Sequence, residues 1–402
     1  MASETFTAAG AADSTASQWR QPGLRRFVWH VLAFSLLPVL VLLLCEGVLQ
    51  GSGEVWTLDR VFAYQRAHPD ALYLRGIDQE LYAYKYRGIL EKNPSIVVAG
   101  SSRTMKFRAA MFGDRANSFF NAGGMLNSLR DLDDFCRVLP PSRMPSVLLL
   151  GVDLWWLNDH VPPVFSFDAE ISKGAGFSFD EHVIGIRWLL KNPRSLAGEA
   201  ISLVEGTNLA IGINAREKGG GFRPDGSFKS PLQTPRSEKE WVFVDRETPP
   251  IIERVRNAQA NFPPANSVSR ERLAVLDAVL ARYEKNHVFV IGYLPPFSSE
   301  VVAQLSADPR HSRFWSEFRR TMPGLFRQHG FPLLDASEAA SLGMDDRAMS
   351  DGFHAEETFQ VHALRALMRD ERVRALLPGA DAVLDRAFRS IRTDYWSADL
   401  PH

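Results

Sequence analysis

Residues 95–104 read SIVVAGSSRT, and the reading of that stretch decides the fold. A continuous β-branched and aliphatic run suits a strand buried on both faces of a parallel sheet, because a solvated face would show alternating polar residues. Three further runs share this character: 146–150 (SVLLL), 287–292 (HVFVIG) and 331–335 (FPLLD). Helical patterns lie between them. In residues 269–285, Leu273, Leu276, Leu280 and Tyr283 recur at three-four-three spacing and form one apolar face. Alternating strands and helices predict a three-layer α/β sandwich with a mostly parallel central sheet and right-handed crossovers.

The 402 residues allow one large domain or two or three smaller ones. Hydrophobic residues make up 45% and charged residues 23%, a globular composition that excludes a mainly disordered chain, a coiled coil and a collagen-like fibre. Lys and Arg total 46 against 47 Asp and Glu, so no basic excess speaks for nucleic acid as a partner. Two cysteines, Cys45 and Cys136, cannot build a disulfide framework, and no Cys/His cluster at ligand spacing suggests a metal site.

Residues 27–49 read FVWHVLAFSLLPVLVLLLCEGVL. From Val31 to Val48 the one charge is Glu46, and the run is long enough for a bilayer core of about 30 Å. Pro38 in its middle is better tolerated in a membrane span than in a soluble helix. A cleaved signal peptide would need a small-x-small site, and Glu46-Gly47-Val48-Leu49-Gln50 offers none; Leu44 before Cys45 does not fit a lipoprotein signal. An uncleaved signal anchor over 25–49 is therefore expected. Arg20, Arg25 and Arg26 precede the span, whereas the 15 residues after it carry Arg60 alone, which places the N-terminus in the cytoplasm and the remainder outside. Residues 1–24 form a short tail, rich in Ala, Ser and Thr over 1–20 and expected to be disordered. The Gly- and Pro-rich stretch 160–265, with Gly219-Gly220-Gly221 and Arg223-Pro224-Asp225-Gly226, breaks the α/β rhythm and reads as an insertion or cap over the sheet.

Ligands of open α/β sheets bind beyond the carboxyl ends of the strands. After the first run, Gly100-Ser101-Ser102-Arg103-Thr104 can present a serine hydroxyl at a helix start, where free N–H groups would stabilise an oxyanion; Ser101 reads equally well as an N-cap. Phe119-Phe120-Asn121-Ala122-Gly123-Gly124 follows, and Gly151-Val152-Asp153-Leu154-Trp155-Trp156 comes after the second strand. The two tryptophans suit either a sugar-binding pocket or the core. Ser350-Asp351-Gly352-Phe353-His354 follows the last strand, and an Asp three residues before a His on a turn can orient its ring.

GSSR, NAGG, GVD and DGFH, in this order and in these strand contexts, resemble the four blocks of the SGNH/GDSL hydrolase superfamily over roughly residues 90–370. The resemblance implies Ser102 as nucleophile, His354 as base and Asp351 as its partner. It also implies an oxyanion hole from Ser102, Gly123 and the position of Asp153, where the family carries Asn. A carboxylate there would repel an oxyanion, so a protonated Asp153, Asn158 or backbone donors alone would have to serve. An SGNH-like domain would then span 91–375, with 50–90 as a connecting region and 376–402 as an extension. With the anchor, the chain is similar to DltD-like proteins and the AlgJ/AlgX/PatB group, whose members work beside polytopic MBOAT-type acyltransferases. This likeness implies a cofactor-free, periplasmic O-acyltransferase on the bacterial inner membrane that acetylates an exported polysaccharide through Ser102. Arg103, Trp155 and Trp156 would then contact substrate. An anchored esterase and a non-catalytic glycan-binding scaffold are the alternatives.

Overall fold

A computed structural model describes residues 22–77, 80–162, 167–173, 176, 178–206, 208–230, 251–390 and 400. The tail expected over residues 1–20, and 231–250 within the expected insertion, lie outside the described residues. The chain divides into two compact units.

The larger unit comprises Trp56–Phe177 and Leu209–His402. Its strands are β1 (Ile96–Gly100), β2 (Phe119–Gly123), β3 (Val147–Gly151), the short pair β4 (Gly221–Phe222) and β5 (Phe228–Lys229), then β6 (Phe289–Leu294) and β7 (Leu333–Asp335). Five of these make one parallel sheet in the order β2-β1-β3-β6-β7. The four expected runs are four of its strands. The fifth, β2, begins at Phe119-Phe120 and forms an edge. Strand side chains alternate between two cores, as the pleat requires. Val97, Ala99, Phe120, Leu148, Leu150 and Val290 face one core, filled by Leu132 and Phe135 of helix Leu129–Val138, Leu276 and Leu280 of Arg270–Lys285, and Phe318 and Met322 of Ser312–Gln328. Ile96, Val98, Phe119, Leu149, Ile291 and Tyr293 face the other, closed by Phe359 and Leu364 of Glu357–Leu367 and Leu384 of Ala380–Ser390. Burial on both faces explains the unbroken apolar runs. Ser269 caps helix Arg270–Lys285 by accepting from Arg272 N.

The boundaries differ from those the sequence suggests. Helices Leu58–Ala67 and Leu81–Lys92, expected in a connecting region, belong to the unit of the sheet, as does Ala380–Ser390 from the expected extension. Lys85 is buried and donates to Asn121 O of β2 at 2.9 Å and to Gly226 O. The turn at Arg223-Pro224-Asp225-Gly226 lies along the free edge of β2, where Asn121 N donates to Asp225 O at 2.8 Å. This protects an edge strand from pairing with another chain.

The smaller unit comprises Met1–Val55 and Ser178–Asn208. Its first helix, Pro22–Ser52, is 31 residues long and holds an 18-residue stretch with a mean hydropathy of 2.5, long and apolar enough to be a membrane span or a signal sequence. Phe34 is 84% exposed, and Leu36, Leu37, Leu40 and Leu43 are exposed too. Helices Phe179–Lys191 and Pro193–Glu205 pack against it. This part of the stretch 160–265 is thus grouped with the N-terminal helix, which corrects the expectation of a single insertion over the sheet.

Candidate active site

The chain runs from β1 outward to β2 on one side and to β3 on the other, so the carboxyl ends of β1 and β3 form the switch point where open α/β sheets bind ligands. Ser102 stands there, opening the 3-10 turn Ser102–Thr104. Gly100 makes the turn possible: its φ is +152°, and a Cβ would stand 2.9 Å from Thr104 Cγ2. Thr104 N and Oγ1 both donate to Ser101 O, and Ser101 Oγ caps Arg103 N at 3.3 Å. Ser101 is therefore the N-cap and Ser102 the residue aimed outward.

The loop before helix Glu357–Leu367 brings the base to it. His354 Nε2 lies 2.7 Å from Ser102 Oγ, and His354 Nδ1 lies 2.5 Å from Asp351 Oδ2. The second Asp351 oxygen accepts from Phe353 N at 2.8 Å and His354 N at 2.7 Å, which fixes the carboxylate towards the ring. Burial pushes the Asp351 carboxyl up, but His354 and the two amides outweigh it and hold it down at about 2. A carboxylate can only accept, so the proton sits on Nδ1 and leaves Nε2 free to take the proton of Ser102. Ser102 and His354 are half-buried and open to solvent. Ser102, His354 and Asp351 thus meet as the sequence predicted.

The other expected roles are not filled. Arg103 is 1% exposed and cannot meet a substrate. Its Nη1 pairs with Asp153 Oδ1 at 2.8 Å, its Nε donates to Phe353 O at 3.0 Å, and its Nη2 donates to Pro295 O and Pro296 O at 2.7 and 2.5 Å. The residue after Ser102 thereby ties down the residue before His354. Asp153 is fully buried, and both oxygens are sealed from any site a substrate could enter. It serves as counter-ion to Arg103, not as an oxyanion donor. Burial pushes its carboxyl up against the opposing pull of Arg103, and burial also pulls the guanidinium down. Asn158 is no substitute, being buried with Nδ2 on Pro263 O at 2.8 Å.

Gly123 N–H donates to Asn121 Oδ1 at 2.7 Å, so the second expected oxyanion donor is engaged as well. Asn121 in turn holds Thr104 O and Phe107 O through Nδ2. Gly123 is needed for another reason: a Cβ would stand 2.6 Å from Thr104 Oγ1 and 2.9 Å from Met105 N. Ser102 N–H, at the first position of its turn, has no hydrogen bond among the described residues and is the donor left for an oxyanion.

Trp155 and Trp156 lie in the 3-10 turn Leu154–Leu157, 3% and 0% exposed, and belong to the core; Trp155 Nε1 donates to Asn127 O at 3.1 Å. They form no acceptor groove. Among the described residues no cluster of three or more His, Cys, Asp or Glu side chains could hold a metal ion.

Sequence reasoning missed the clamp built on Arg103. One signal was available: Arg103 and Asp153 are opposite charges just past the ends of adjacent strands. Two ion pairs add to the clamp, Lys106 with Glu356 at 3.0 Å and Arg108 with Glu357 at 3.2 Å, joining the segment after Ser102 to the start of the helix after His354. No family model and no curated protein matches the chain.

Proposed function

We propose that this chain is a membrane-anchored, SGNH-like serine acyltransferase that forms an acyl-enzyme on Ser102. The observation that carries the reading is the unbroken relay from Ser102 Oγ through His354 to Asp351 at 2.7 and 2.5 Å. In the first step His354 Nε2 accepts the hydroxyl proton as Oγ attacks the acyl carbonyl, and Ser102 N–H meets the developing oxyanion. The imidazolium, held by Asp351, then gives its proton to the leaving group. In the second step His354 deprotonates an acceptor hydroxyl as it attacks the acyl carbon, and the imidazolium then returns that proton to Ser102 Oγ as the bond from Oγ to the acyl carbon breaks.

The acceptor is read as a polysaccharide hydroxyl, the acyl group as acetyl, and the donor as a polytopic MBOAT-type partner. This finer reading is supported by the four-block resemblance and by the apolar N-terminal helix. It includes a periplasmic catalytic domain, a cytoplasmic N-terminus and a bacterial inner membrane. A second reading, an anchored esterase, is favoured by the solvent access of Ser102 and His354.

The test is the intact mass of the purified full-length protein after exposure to an activated acetyl ester, wild type against Ser102→Ala. The proposal expects one acetyl adduct on wild type alone. No adduct and no turnover of the ester on folded protein would remove the serine chemistry and leave a binding scaffold. Adduct turnover by water at a rate unaffected by glycan would favour the esterase.

A further inference from the structure

Helices Phe179–Lys191 and Pro193–Glu205 run back and forth along the C-terminal end of Pro22–Ser52. His182 Nδ1 meets Glu46 Oε2 at 2.9 Å, and Val183, Ile186 and Leu190 line a shallow apolar groove with Leu42. The returning helix brings Leu203 over Gly51, where a Cβ would stand 2.7 Å from Leu203 Cδ1. The turn that joins the two helices, residues 191–193, is therefore the part of the hairpin nearest the apolar middle of Pro22–Ser52. The open end of the hairpin lies level with Gly51.

That turn is basic and has a tryptophan beside it. Arg187, Lys191 and Arg194 are the only Lys, Arg, Asp or Glu between Glu181 and Glu199. All three are exposed, and none has a carboxylate partner among the described residues. Arg187 and Lys191 edge the groove at Leu42. Trp188 is half-buried next to Arg187, and its carbonyl accepts from Asn192 N and Nδ2 at 3.0 and 2.8 Å, which closes the helix there. Tryptophan together with Lys or Arg marks a membrane–water interface, because the ring suits the headgroup level and the basic tips reach the phosphates. The other end of Pro22–Ser52 pairs the same residue types, Arg25 and Arg26 with Trp29, which is 70% exposed.

The spacing of the two basic groups fixes where a bilayer can sit. Leu42 is 16 residues beyond Arg26, about 24 Å along the helix. A hydrocarbon core is about 30 Å thick, and snorkelling side chains with slight local thinning take up the difference of about 6 Å. Moving the boundary out to Glu46 would lengthen the span, but it would sink three unpaired charges and the backbone of a turn in hydrocarbon, away from water. With the boundary at Leu42, Glu46, Gln50, Ser52 and Leu203 stand clear of lipid. Asp180 and Glu181 do so as well, since they lie in the first turn of their helix, on the side of His182 and Glu46.

We propose that residues 187–194 form a second membrane-interface anchor of this chain and bind an acidic phospholipid headgroup. The hairpin stands upright on its basic turn, with Arg187, Lys191 and Arg194 at the phosphates and the upper part of an acyl chain against Leu42 and Leu190. Charge selects the ligand: three cations with no carboxylate among them favour a lipid of net negative charge over a zwitterionic one. The proposal rests on Pro22–Ser52 remaining in the bilayer as a span and is independent of the serine chemistry. Residues 27–41 then cross the hydrocarbon, and 43–52 stand above it with the hairpin. A uniformly apolar helix can slide along the membrane normal, whereas a basic turn held at one depth sets its height.

The test uses full-length protein in phosphatidylcholine vesicles with or without phosphatidylglycerol. One fluorophore is placed on a new cysteine at an exposed position: Phe34→Cys in mid-span, Leu190→Cys at the turn or Val204→Cys at the open end. Cys45 and Cys136 are buried and stay. Nitroxides at the headgroup and deep in the acyl chain report depth. The expected result is quenching of label 34 mainly by the deep nitroxide, of label 190 mainly by the shallow one, and of label 204 by neither. Headgroup-labelled phosphatidylglycerol should half-quench label 190 at about one-fifth of the mole fraction that phosphatidylcholine needs, a preference that the attraction of a single basic side chain already gives. The triple variant Arg187→Gln/Lys191→Gln/Arg194→Gln should abolish that preference and leave label 34 unchanged. Equal quenching of label 190 by the two lipids overturns the acidic-lipid site, as does a preference that the triple variant keeps. Lipid quenching at 34 with none at 190 overturns the anchor and leaves the span intact. Deep quenching of 190 to the extent seen at 34, or lipid quenching of 204, overturns the upright placement. Loss of lipid quenching at 34 removes the span and the anchor with it.

Discussion

Asp153→Asn separates two accounts of the same residue. Asp153 Oδ1 sits 2.8 Å from Arg103 Nη1 in a pocket where both groups are sealed from water. Removing the negative charge leaves a buried guanidinium supported by three carbonyls, and breaking a buried pair in this way costs about 3–5 kcal/mol. For a domain of this size, at about 2 °C per kcal/mol, the melting temperature should fall by roughly 6–10 °C. Trp155 and Trp156 follow Asp153 by two and three residues and make intrinsic fluorescence a suitable readout. Function should fall as well, because Arg103 holds Phe353 O and thereby the placement of His354. A displacement of about 1 Å at such a site can cost roughly 100-fold in rate. The acyl adduct on Ser102 should accordingly form about two orders of magnitude more slowly at equal protein. The double variant Arg103→Met/Asp153→Leu removes both charges and should be more stable than either single variant. The argument is refuted if Asp153→Asn melts no lower than wild type and acylates as fast or faster, since an Asn that improves the reaction would mean position 153 donates to the oxyanion.

Asp351→Asn should slow acylation by roughly 10³-fold or more with little loss of fold, because the amide no longer fixes the Nδ1–H tautomer of His354; single-turnover kinetics would show it. The Asp351 carboxyl is held at about 2, below its ordinary value of 3.8, so its contribution to stability is present above about pH 4 and is lost as pH falls towards 2. Melting curves between pH 5 and 2 should show that loss in wild type and not in Asp351→Asn. Lys85 gives the same slope at higher pH, but there the lowered value marks a cost at neutral pH rather than a gain. Burial lowers its amine to about 7, so the folded state releases a proton that the unfolded chain keeps up to about pH 10.5. Stability should rise between pH 7 and 10 by up to about 1.4 kcal/mol per unit, and Lys85→Met should flatten that slope in chemical denaturation. Gly123→Ala should destabilise by about 1–3 kcal/mol, since the new methyl meets Thr104 Oγ1 and Met105 N, and it should also slow acylation by shifting the Ser102 turn.

The sheet was legible where strands are buried on both faces, because such strands must be apolar throughout. The edge strand β2 was not, since two phenylalanines followed by Asn121 look like a loop. The relay was legible for a chemical reason: Asp three residues before His has few local uses, and strand order sends both ends of the chain to one edge of the sheet. The surroundings of the relay were hidden because their partners are backbone atoms distant in sequence. Three of the four acceptors of Arg103 are carbonyls of Phe353, Pro295 and Pro296, and a carbonyl leaves no mark on a sequence. The same holds for Gly123, whose N–H is claimed by the side chain two residues before it. Trp155 and Trp156 show a different limit. An aromatic pair after a strand reads alike for a groove and a core, and the 3-10 turn settles the matter by rotating both inward.

The bond between Ser102 and His354 joins residues 252 positions apart. A ribosome makes the chain from one end, so the serine emerges long before its base exists. Until nearly nine-tenths of the polypeptide has been synthesised, Ser102 is an ordinary alcohol, chemically quiet beside whatever activated acyl groups it meets. A prematurely terminated product lacking Asp351 and His354 would be inert rather than miscatalytic. On the proposed mechanism, reactivity at Ser102 requires a chain that already carries Asp351 and His354.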